Sequence, residues 1–296
     1  MFVLVTLTCG VYFSYNYYQE IKRQKVLLEK RKTSWLELKQ TIGGEIAKFK
    51  GDVGVVIKDL TMNWEISFNE DKLFPSASLV KIPIMASCFS AIQERKLKFE
   101  NIVKLKLTDK VSGSGILKNM HTGKELSIEE LLELMITDSD NTATNVLIDQ
   151  LGLDYLNMTF KSLGLKDTNL ARKMMDFKSR SQGIENYTTA KDIALILEKI
   201  YRKDLINRDV SLECVRLLKQ QKINGRISLY LPSEVTVAHK TGLERFVCHD
   251  AGIVYTCKGN FLICVLTKHS RETTSRVAKK FIARIALITY RYFEKF

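Results

Sequence analysis

The sequence is poor in proline and lacks the signatures of flexible linkers and of metal sites. Three prolines occur among 296 residues, and no stretch is rich in glycine and serine, which argues against an array of domains on flexible linkers. The six cysteines form no CxxC pair, and no group of histidines and cysteines has the spacing of a zinc site. We therefore expect neither a metal nor a cofactor, and the cysteine count leaves the redox compartment open.

Negative charge is also scarce. The chain has 46 lysines and arginines against 33 aspartates and glutamates, a net charge of +13. A nucleic-acid-binding protein often has such an excess, but neither zinc-finger spacing nor the aromatic motif of RNA-binding proteins is present. An anionic cell wall or an anionic lipid surface explains the charge equally well. We expect a surface of this kind as a partner, and no nucleic acid.

The first residues form one apolar run without charge, "FVLVTLTCGVYFSYNYY", followed by a basic segment. The run is at the lower length limit for a membrane-spanning helix, and its final tyrosines suit a membrane interface. We predict a membrane anchor or uncleaved signal over residues 1–20 and a basic helix beside the membrane over 21–34. The protein would then be extracytoplasmic, held at the cell surface or secreted. A buried N-terminal helix is the alternative.

The order of elements along the chain predicts a mixed α and β fold. "DVGVVIKDL" and "MNWEISFN" predict an early hairpin, the middle of the chain reads as helices, and three strand-like runs precede a last helix. Ser127 and Glu130 form a capping box that begins one helix, and Gly152 ends another. We expect an antiparallel sheet flanked by helices and built from both chain ends, with an all-α part to one side.

Two serines and a lysine lie close together in "FPSASLVKIP", residues 74–83. Ser78 has Lys81 three residues later, so both side chains share one face of a helix, whereas Ser76 has a leucine at that distance. A serine hydroxyl becomes a strong nucleophile when a neighbouring base takes its proton, and a lysine serves as that base when its pKa is lowered. On its own, SxxK is a weak signal in a lysine-rich chain.

Two further motifs indicate the function of the Ser78 and Lys81 pair. Ser139-Asp140-Asn141 follows one middle helix, and Lys240-Thr241-Gly242 ends a late strand. Alone, the first is typical of a helix N-cap and the second of a strand end. Together with SxxK, in this order, they are the signature of penicillin-recognising serine enzymes. From about residue 35 to 296, the chain resembles the class A β-lactamase family.

The resemblance implies a catalytic domain over 35–296, with an α/β part (about 35–75 and 233–296) and an all-α part (about 76–232). The active site would lie between the two parts. It implies Ser78 as the acylated nucleophile, Lys81 as its proton acceptor and Ser139 as the proton shuttle to the leaving nitrogen. Asn141 would bind Lys81 and the substrate amide.

The resemblance also implies a subsite for the substrate carboxylate and an oxyanion hole. Lys240 would supply positive charge to the carboxylate and to Ser139, and Thr241 would donate its hydroxyl. The backbone N–H groups of Ser78 and Leu243 would form the oxyanion hole. Arg226, fourteen residues before Lys240, occupies the place of a carboxylate-binding arginine in some family members; the alternative is a surface salt bridge.

The match fails at the group that releases the acyl-enzyme. The family carries a glutamate in an R-x-E-x-x-L-N pattern, which activates the deacylating water. Arg172 fits that pattern, but Met174 stands in place of the glutamate, and Lys178 stands near the asparagine position. Asp176 would reach the water only if the loop is rerouted. The sequence thus predicts intact acylation and leaves deacylation open.

Three functions agree with these motifs. The first is a monomeric, membrane-tethered serine hydrolase acting on β-lactam amides. The second is a penicillin-binding DD-peptidase that acts on D-Ala-D-Ala-like peptide ends by the same acyl-serine chemistry. The third is a slowly deacylating penicillin-binding or sensor domain, which the short segment after the predicted anchor disfavours.

Overall fold

Helices and strands follow the order that the sequence patterns predict. The computed structural model describes the backbone of residues 2–296 and the side chains of residues 16–296. Its helices are α1 (Phe2–Ala47), α2 (Lys81–Gln93), α3 (Ile128–Thr137), α4 (Asn141–Leu151), α5 (Leu153–Ser162), α6 (Phe177–Ser181), α7 (Ala190–Arg202), α8 (Arg208–Lys219) and α9 (Ser275–Phe293). Its strands are β1 (Gly51–Asp59), β2 (Trp64–Phe68), β3 (Phe74–Pro75), β4 (Ile102–Lys104), β5 (Glu125–Ser127), β6 (Tyr187–Thr188), β7 (Thr236–Glu244), β8 (Val247–Tyr255) and β9 (Phe261–His269).

One five-stranded antiparallel sheet joins the two ends of the chain. Its strand order is β2-β1-β9-β8-β7. β1 pairs with β9 along its full length, from Gly51 opposite His269 to Asp59 opposite Phe261. The predicted sheet from both chain ends is thus confirmed, and it forms only when the first and last thirds of the chain meet. β7, which carries the Lys240 motif, lies at one edge.

Both faces of this sheet are buried, and the alternation of side chains decides which residue serves which face. In β1, Val55 and Ile57 pack with α1 and α9 around Ile282, whereas Val56 faces the opposite side. Leu262 in β9 also belongs to that second side, which continues into the core of the helices between α2 and α8. The sheet therefore stands between an outer helix pair and the helical middle of the chain.

The ends of the middle helices are set by the capping residues that the sequence shows. The Ser127 hydroxyl accepts from the Glu130 N–H at 3.1 Å, and the Glu130 carboxylate accepts from the Ser127 N–H at 2.7 Å. Gly152 has φ 78°, a left-handed value that favours glycine, and separates α4 from α5. The predicted capping box and glycine stop are both present, at the start of α3 and at the end of α4.

The part of α1 before Arg31 does not pack against the rest of the protein in residues 16–30. Every side chain from residue 16 to 30 is exposed, and burial begins near Trp35. Arg31 ties the helix to the sheet through Asp59 at 2.9 Å. Within the described part of the chain, no helix combines the length and the apolar character needed to cross a membrane. Most of the predicted anchor lies in residues 1–15, whose side chains are outside the described residues.

Candidate active site

Ser78 lies in a single 3₁₀ turn, Ala77–Val80, directly before α2. The Ser76 N–H fixes the start of this turn by donating to the Asn186 carbonyl at 2.7 Å, and Ala77 has a left-handed φ of 45°. Ser76 is fully buried, whereas Ser78 is partly exposed. The turn therefore presents Ser78, and not Ser76, to a molecule entering the site.

Lys81, the first residue of α2, is fully buried among oxygen atoms of the Ser139 motif. Its Nζ donates to the Ser139 carbonyl at 2.6 Å and to Asn141 Oδ1 at 2.9 Å, and lies 3.2 Å from Ser139 Oγ. Two of these contacts satisfy the two hydrogens of a neutral amine. The lone pair of that amine is then free to accept a proton.

Lys240 approaches the same hydroxyl from the sheet. Its Nζ lies 2.9 Å from Ser139 Oγ and 3.1 Å from the Thr241 carbonyl, and its side chain is fully buried. Burial and the positive charge of Arg226 lower the pKa of Lys240 to about 7. Burial, and then the charge of Lys240, hold the pKa of Lys81 well below its usual value. Both lysines are thus made easier to deprotonate than a solvated lysine.

A glycine-containing segment, residues 112–117, holds the Ser139 motif in place. Asp140 caps α4 by accepting from the Ala143 N–H at 2.9 Å, and its second oxygen accepts from the N–H groups of Ile116 and Leu117. A Cβ on Gly115 would lie 2.2 Å from the Asp140 carboxyl carbon, so only glycine allows this approach. Asp140 therefore serves as the N-cap expected of the Ser139-Asp140-Asn141 motif, and the same motif also forms part of the site.

Strand β7 brings the remaining predicted groups to the same place. A Cβ on Gly242 would lie 3.3 Å from the Ala77 Cβ, so the end of β7 lies against the turn that holds Ser78. Thr241 is buried, and the side chain of Leu243 is 47% exposed. The SxxK, SDN and KTG segments, which are far apart in the sequence, lie together in the fold.

Arg226 is buried behind Lys240 and is not part of a surface salt bridge. Its exposed fraction is 2%, its Nε contacts the Cys248 sulfur at 3.3 Å, and its Nη1 is buried without a hydrogen-bond partner among the described residues. Its charge reaches Lys240, whose pKa it lowers. Arg226 therefore adds to the positive field of the site from within the protein.

Two hydrogen bonds attach the loop over residues 171–186 to α4 at Met174. The Met174 N–H donates to Asn145 Oδ1 at 2.8 Å, and the Asn145 amide donates to the Met174 carbonyl at 3.0 Å. The Met174 side chain is 5% exposed and belongs to the core of the helical part. The loop is thus fixed to α4 at the residue that replaces the expected glutamate.

Met175 and Asp176 occupy different surroundings. A Cβ on Gly113 would lie 2.6 Å from Asn141 Nδ2 and 3.1 Å from Met175 Sδ, so the Met175 thioether lies beside the Asn141 amide. The Asp176 carboxylate caps α6, accepting from the Ser179 N–H at 3.0 Å and from its hydroxyl at 2.7 Å. These hydrogen bonds lower the pKa of Asp176. Its carboxylate is held by its own helix, so the loop does not present it as a base.

Asn145 is a site residue that the three sequence motifs do not reveal. It lies four residues after Asn141, and residues at this spacing share one helix face. The sequence shows that spacing, but the role of Asn145 depends on its contact with a loop about thirty residues later.

His249 is a second residue of the site that the motifs do not reveal. Its Nε2 donates to the Pro75 carbonyl at 2.8 Å and so connects β8 to the segment that leads to Ser78. Among side chains of residues 16–296, no group of acidic, histidine or cysteine residues is arranged to hold a metal ion.

Comparison with known proteins agrees with this geometry. The sequence model of the "Beta-lactamase enzyme family" matches residues 37–293. The β-lactamase VEB-1 of Pseudomonas aeruginosa is 26% identical over 258 residues, covering 81% of this chain and 85% of that protein.

Two solved structures are similar over most of the chain. A β-lactamase from Sphaerobacter thermophilus has a TM-score of 0.80 at 29% identity and covers 88% of this chain and 98% of its own. A leucine-to-glutamate variant of PBP-A, solved as its acyl-enzyme complex with penicillin G, has a TM-score of 0.80 at 26% identity, with coverage of 88% and 97%. Family model, relatives and fold give one answer: the chain belongs to the β-lactamase enzyme family, as a serine hydrolase of the class A type.

Proposed function

We propose that the protein opens β-lactam rings by forming an acyl-enzyme on Ser78. The hydroxyl oxygen of Ser78 attacks the lactam carbonyl carbon while its proton passes to the neutral amine of Lys81. The ring C–N bond then breaks, and the nitrogen takes a proton from Ser139, which regains one from Lys81. The product of this half-reaction is an ester on Ser78 with a protonated ring nitrogen.

One observation carries this proposal: two buried lysines both contact the hydroxyl of Ser139. Lys81 and Lys240 lie 3.2 and 2.9 Å from Ser139 Oγ, and burial lowers the pKa of both. Two cations this close repel each other, which disfavours the state with both lysines charged. In our proposal Lys81 is the neutral one and Lys240 the charged one. That state combines a proton acceptor three residues after the nucleophile with a cation for the substrate carboxylate.

The other predicted roles are part of the same proposal. Asn141 orients Lys81 and binds the substrate amide, and the Thr241 hydroxyl donates to the substrate carboxylate. Arg226 acts from behind Lys240, where its buried charge adds to the attraction of an anion. The N–H groups of Ser78 and Leu243 receive the negative charge that develops on the carbonyl oxygen. The turn before α2 and the end of β7 support this last assignment because they lie in contact.

We propose further that the acyl-enzyme is released slowly. Met174 supplies no base, and the Asp176 carboxylate is held by Ser179. The loss of one general base lowers a rate by about 10²–10⁴-fold. A slowly deacylating site suits a penicillin-binding, DD-peptidase-like enzyme on D-Ala-D-Ala-like peptides as the second candidate. The likeness to PBP-A, 26% identical over 88% of this chain, favours that candidate.

Labelling with a fluorescent penicillin tests the proposal. We expect one label per chain, attached to Ser78 in a peptide digest, and no label in Ser78→Ala. Ser76→Ala is the matched control and keeps the label if it folds. Equal labelling of Ser78→Ala and the wild type would refute the assignment. Release of free alanine from a D-Ala-D-Ala peptide, absent in Ser78→Ala, would favour the peptidase.

We also propose that the catalytic domain of residues 35–296 acts outside the cytoplasm, with the basic helix of 21–34 and the segment of 1–20 holding it at an anionic surface. The exposed side chains of residues 16–30, which include four lysines and arginines, support this. The full chain should sediment with vesicles containing anionic lipid, and a variant without residues 1–30 should not. Equal sedimentation of both variants would contradict the tether.

A further inference from the structure

A second cavity lies at the C-terminal end of α7, away from the candidate active site. Its walls come from the last turn of α7, from α8 and from the turn between β8 and β9, and its volume is about 510 Å³. The start of α7 lies near Ser78, because Thr188 pairs with Phe74. From Ala190 to Ile200, where the cavity begins, α7 spans roughly 15 Å. The cavity is thus separate from the site, and its size is in the range that holds small molecules.

Two tyrosine rings form the apolar wall of this cavity. The ring centroids of Tyr201 and Tyr255 lie 6.3 Å apart, and the ring planes are tilted by 42°. Val215 and the exposed Leu212 of α8 extend the wall. Both tyrosines and Val215 are partly buried and pack on the outside of the helical core, which fixes their positions. The wall therefore offers a flat apolar molecule an aromatic surface to stack on.

The tyrosine hydroxyls add polar contacts at this wall. Asn260 Oδ1 accepts from the Thr256 N–H at 3.2 Å, so its amide nitrogen is directed to the Tyr201 hydroxyl, 3.1 Å away. The Tyr201 oxygen is the acceptor in this contact, which leaves its hydrogen for another partner. Burial raises the pKa of Tyr255 to about 12, so this hydroxyl keeps its proton and adds no negative charge.

The rim of the cavity is positively charged. Lys203 follows α7 and Lys219 ends α8, and both side chains are exposed. Lys219 Nζ lies 4.6 Å from the centroid of the Tyr255 ring, a cation–π distance that holds its charge beside the wall. Arg202 also lines the cavity, but Glu198 neutralises it at 2.8 Å. Over the residues that the structure describes, Lys203 and Lys219 take part in no ion pair.

The two lysines add more charge than the helix ends alone explain. A cation in the last turn of a helix commonly compensates the partial negative charge of that end. Here α7 already has Lys199 and Arg202 in its last turn, and α8 has Arg216. Lys203 and Lys219 therefore bring further positive charge to one aromatic cavity.

We propose that this cavity is a second binding site, which takes a small organic anion with an apolar body, such as an aromatic carboxylate or phosphate ester. The body stacks on Tyr201 and Tyr255, and the anionic group pairs with Lys203 and Lys219. Charge and wall together select this class of ligand. A neutral aromatic molecule leaves two ammonium groups without a partner, and an inorganic anion leaves the wall uncovered. The inference is independent of the function proposed for Ser78.

Two matched dyes test this site on the full-length protein. 8-Anilinonaphthalene-1-sulfonate is an anion, and N-phenyl-1-naphthylamine has the same aromatic body without the charge. In fluorescence titrations we expect Lys203→Gln and Lys219→Gln each to raise the Kd of the anionic dye about fivefold, the effect of losing one partly exposed ion pair. Added salt should weaken this dye in the wild type. The affinity for the uncharged dye should be the same in the wild type and in both variants.

Lys161→Gln is the matched control, because it removes one exposed lysine from α5, which does not line the cavity. This variant should bind the anionic dye as the wild type does. An equal Kd in the wild type and in both cavity variants, or an equal rise in Lys161→Gln, would overturn the site. The candidate active site also holds a cation, Lys240, so the titration is repeated with excess benzylpenicillin. The anionic dye should still bind, and its displacement would place it at Ser78 and overturn the second site.

Vesicles of anionic lipid separate a small-molecule site from a lipid contact. The double variant of Lys203→Gln and Lys219→Gln should sediment with these vesicles as the wild type does, at equal melting temperature. If the double variant loses vesicle binding and keeps its affinity for the anionic dye, the two lysines belong to a surface that faces lipid. That result would contradict the proposed site.

Discussion

Met174 is the residue on which, in our proposal, the difference between a penicillin-binding protein and an efficient β-lactamase depends. Its backbone is fixed to Asn145 by two hydrogen bonds, which hold residue 174 beside α4. We expect Met174→Glu to accelerate deacylation of the penicillin adduct by about 10²–10⁴-fold, because it restores a general base. The measurement is the rate at which intact-protein mass returns from acylated to free after excess penicillin is removed.

Met174→Gln is the control for that substitution, since glutamine has the same shape as glutamate but is not a base. The two variants should share the acylation rate and differ in deacylation. Equal deacylation in both would show that residue 174 does not reach the water. Met175, whose thioether lies beside Asn141, would then be the position to test next.

Lys240 gives the site a dependence on pH. Its pKa is lowered to about 7, so its positive form is present below that pH and is lost above it. Acylation at low substrate concentration should therefore decline as the pH rises through about 7, since this rate constant reports groups of the free enzyme. At low pH it should decline as Lys81 becomes protonated. Lys240→Arg keeps its charge to high pH and should move the alkaline decline upward. An unchanged alkaline decline in Lys240→Arg would assign it to another group.

The residues that we propose as catalytic could be selected from the sequence because each motif is a short run of neighbouring residues. Ser78 and Lys81 share a turn, and Asp140 begins a helix, so local spacing carries the signal. The contacts of Arg226 and Asn145 could not be found in this way. Each reaches a partner more than twenty residues away through an irregular loop or a neighbouring strand, and such contacts leave no periodic pattern.

At the scale of elements, a buried histidine connects the sheet to the turn of Ser78. His249 on β8 donates through Nε2 to the Pro75 carbonyl at 2.8 Å, and its Nδ1 accepts from the Thr267 N–H at 3.0 Å. Only the neutral ring can accept at Nδ1. Burial lowers the pKa of His249 to about 4, from an ordinary value of 6.5.

This histidine should make the fold sensitive to acid. Between pH 6.5 and 4 the unfolded chain binds a proton at His249 and the folded chain does not, so stability decreases as the pH falls. The shift corresponds to about 3 kcal/mol once the pH is below 4. In urea unfolding at pH 7 and pH 4, His249→Gln should lose less stability than the wild type, whereas substitution of the exposed His121 should not. Equal pH dependence in wild type and His249→Gln would contradict this role.

Strands and helices were predictable where apolar residues form continuous or periodic runs in the sequence. The hairpin β1–β2 and the strands β7, β8 and β9 have clear alternation or continuous apolar character, and α3, α4, α7, α8 and α9 begin at side-chain caps. The short strands β3 and β6 were not predicted. They are two residues long and pair across more than a hundred residues, Phe74 with Thr188, so only the folded chain defines them.

At the scale of the whole molecule, the sheet unites the chain ends and thereby assembles the site. β1 and β9 pair along nine residues, and β7 at the edge of that sheet meets the turn before α2. Ser78, Ser139 and Lys240 thus come from three separate parts of the chain. The order of elements indicated such a sheet, but the strand order within it depends on long-range pairing that sequence patterns do not specify.

Burst kinetics with a chromogenic cephalosporin test the central claim most directly. Intact acylation with slow deacylation predicts a rapid burst of product equal to one molecule per protein chain, followed by a steady rate far below the burst rate. Ser78→Ala should show no burst. A linear time course with fast turnover and no burst would contradict the account, because it would mean that the acyl group leaves Ser78 as readily as it arrives.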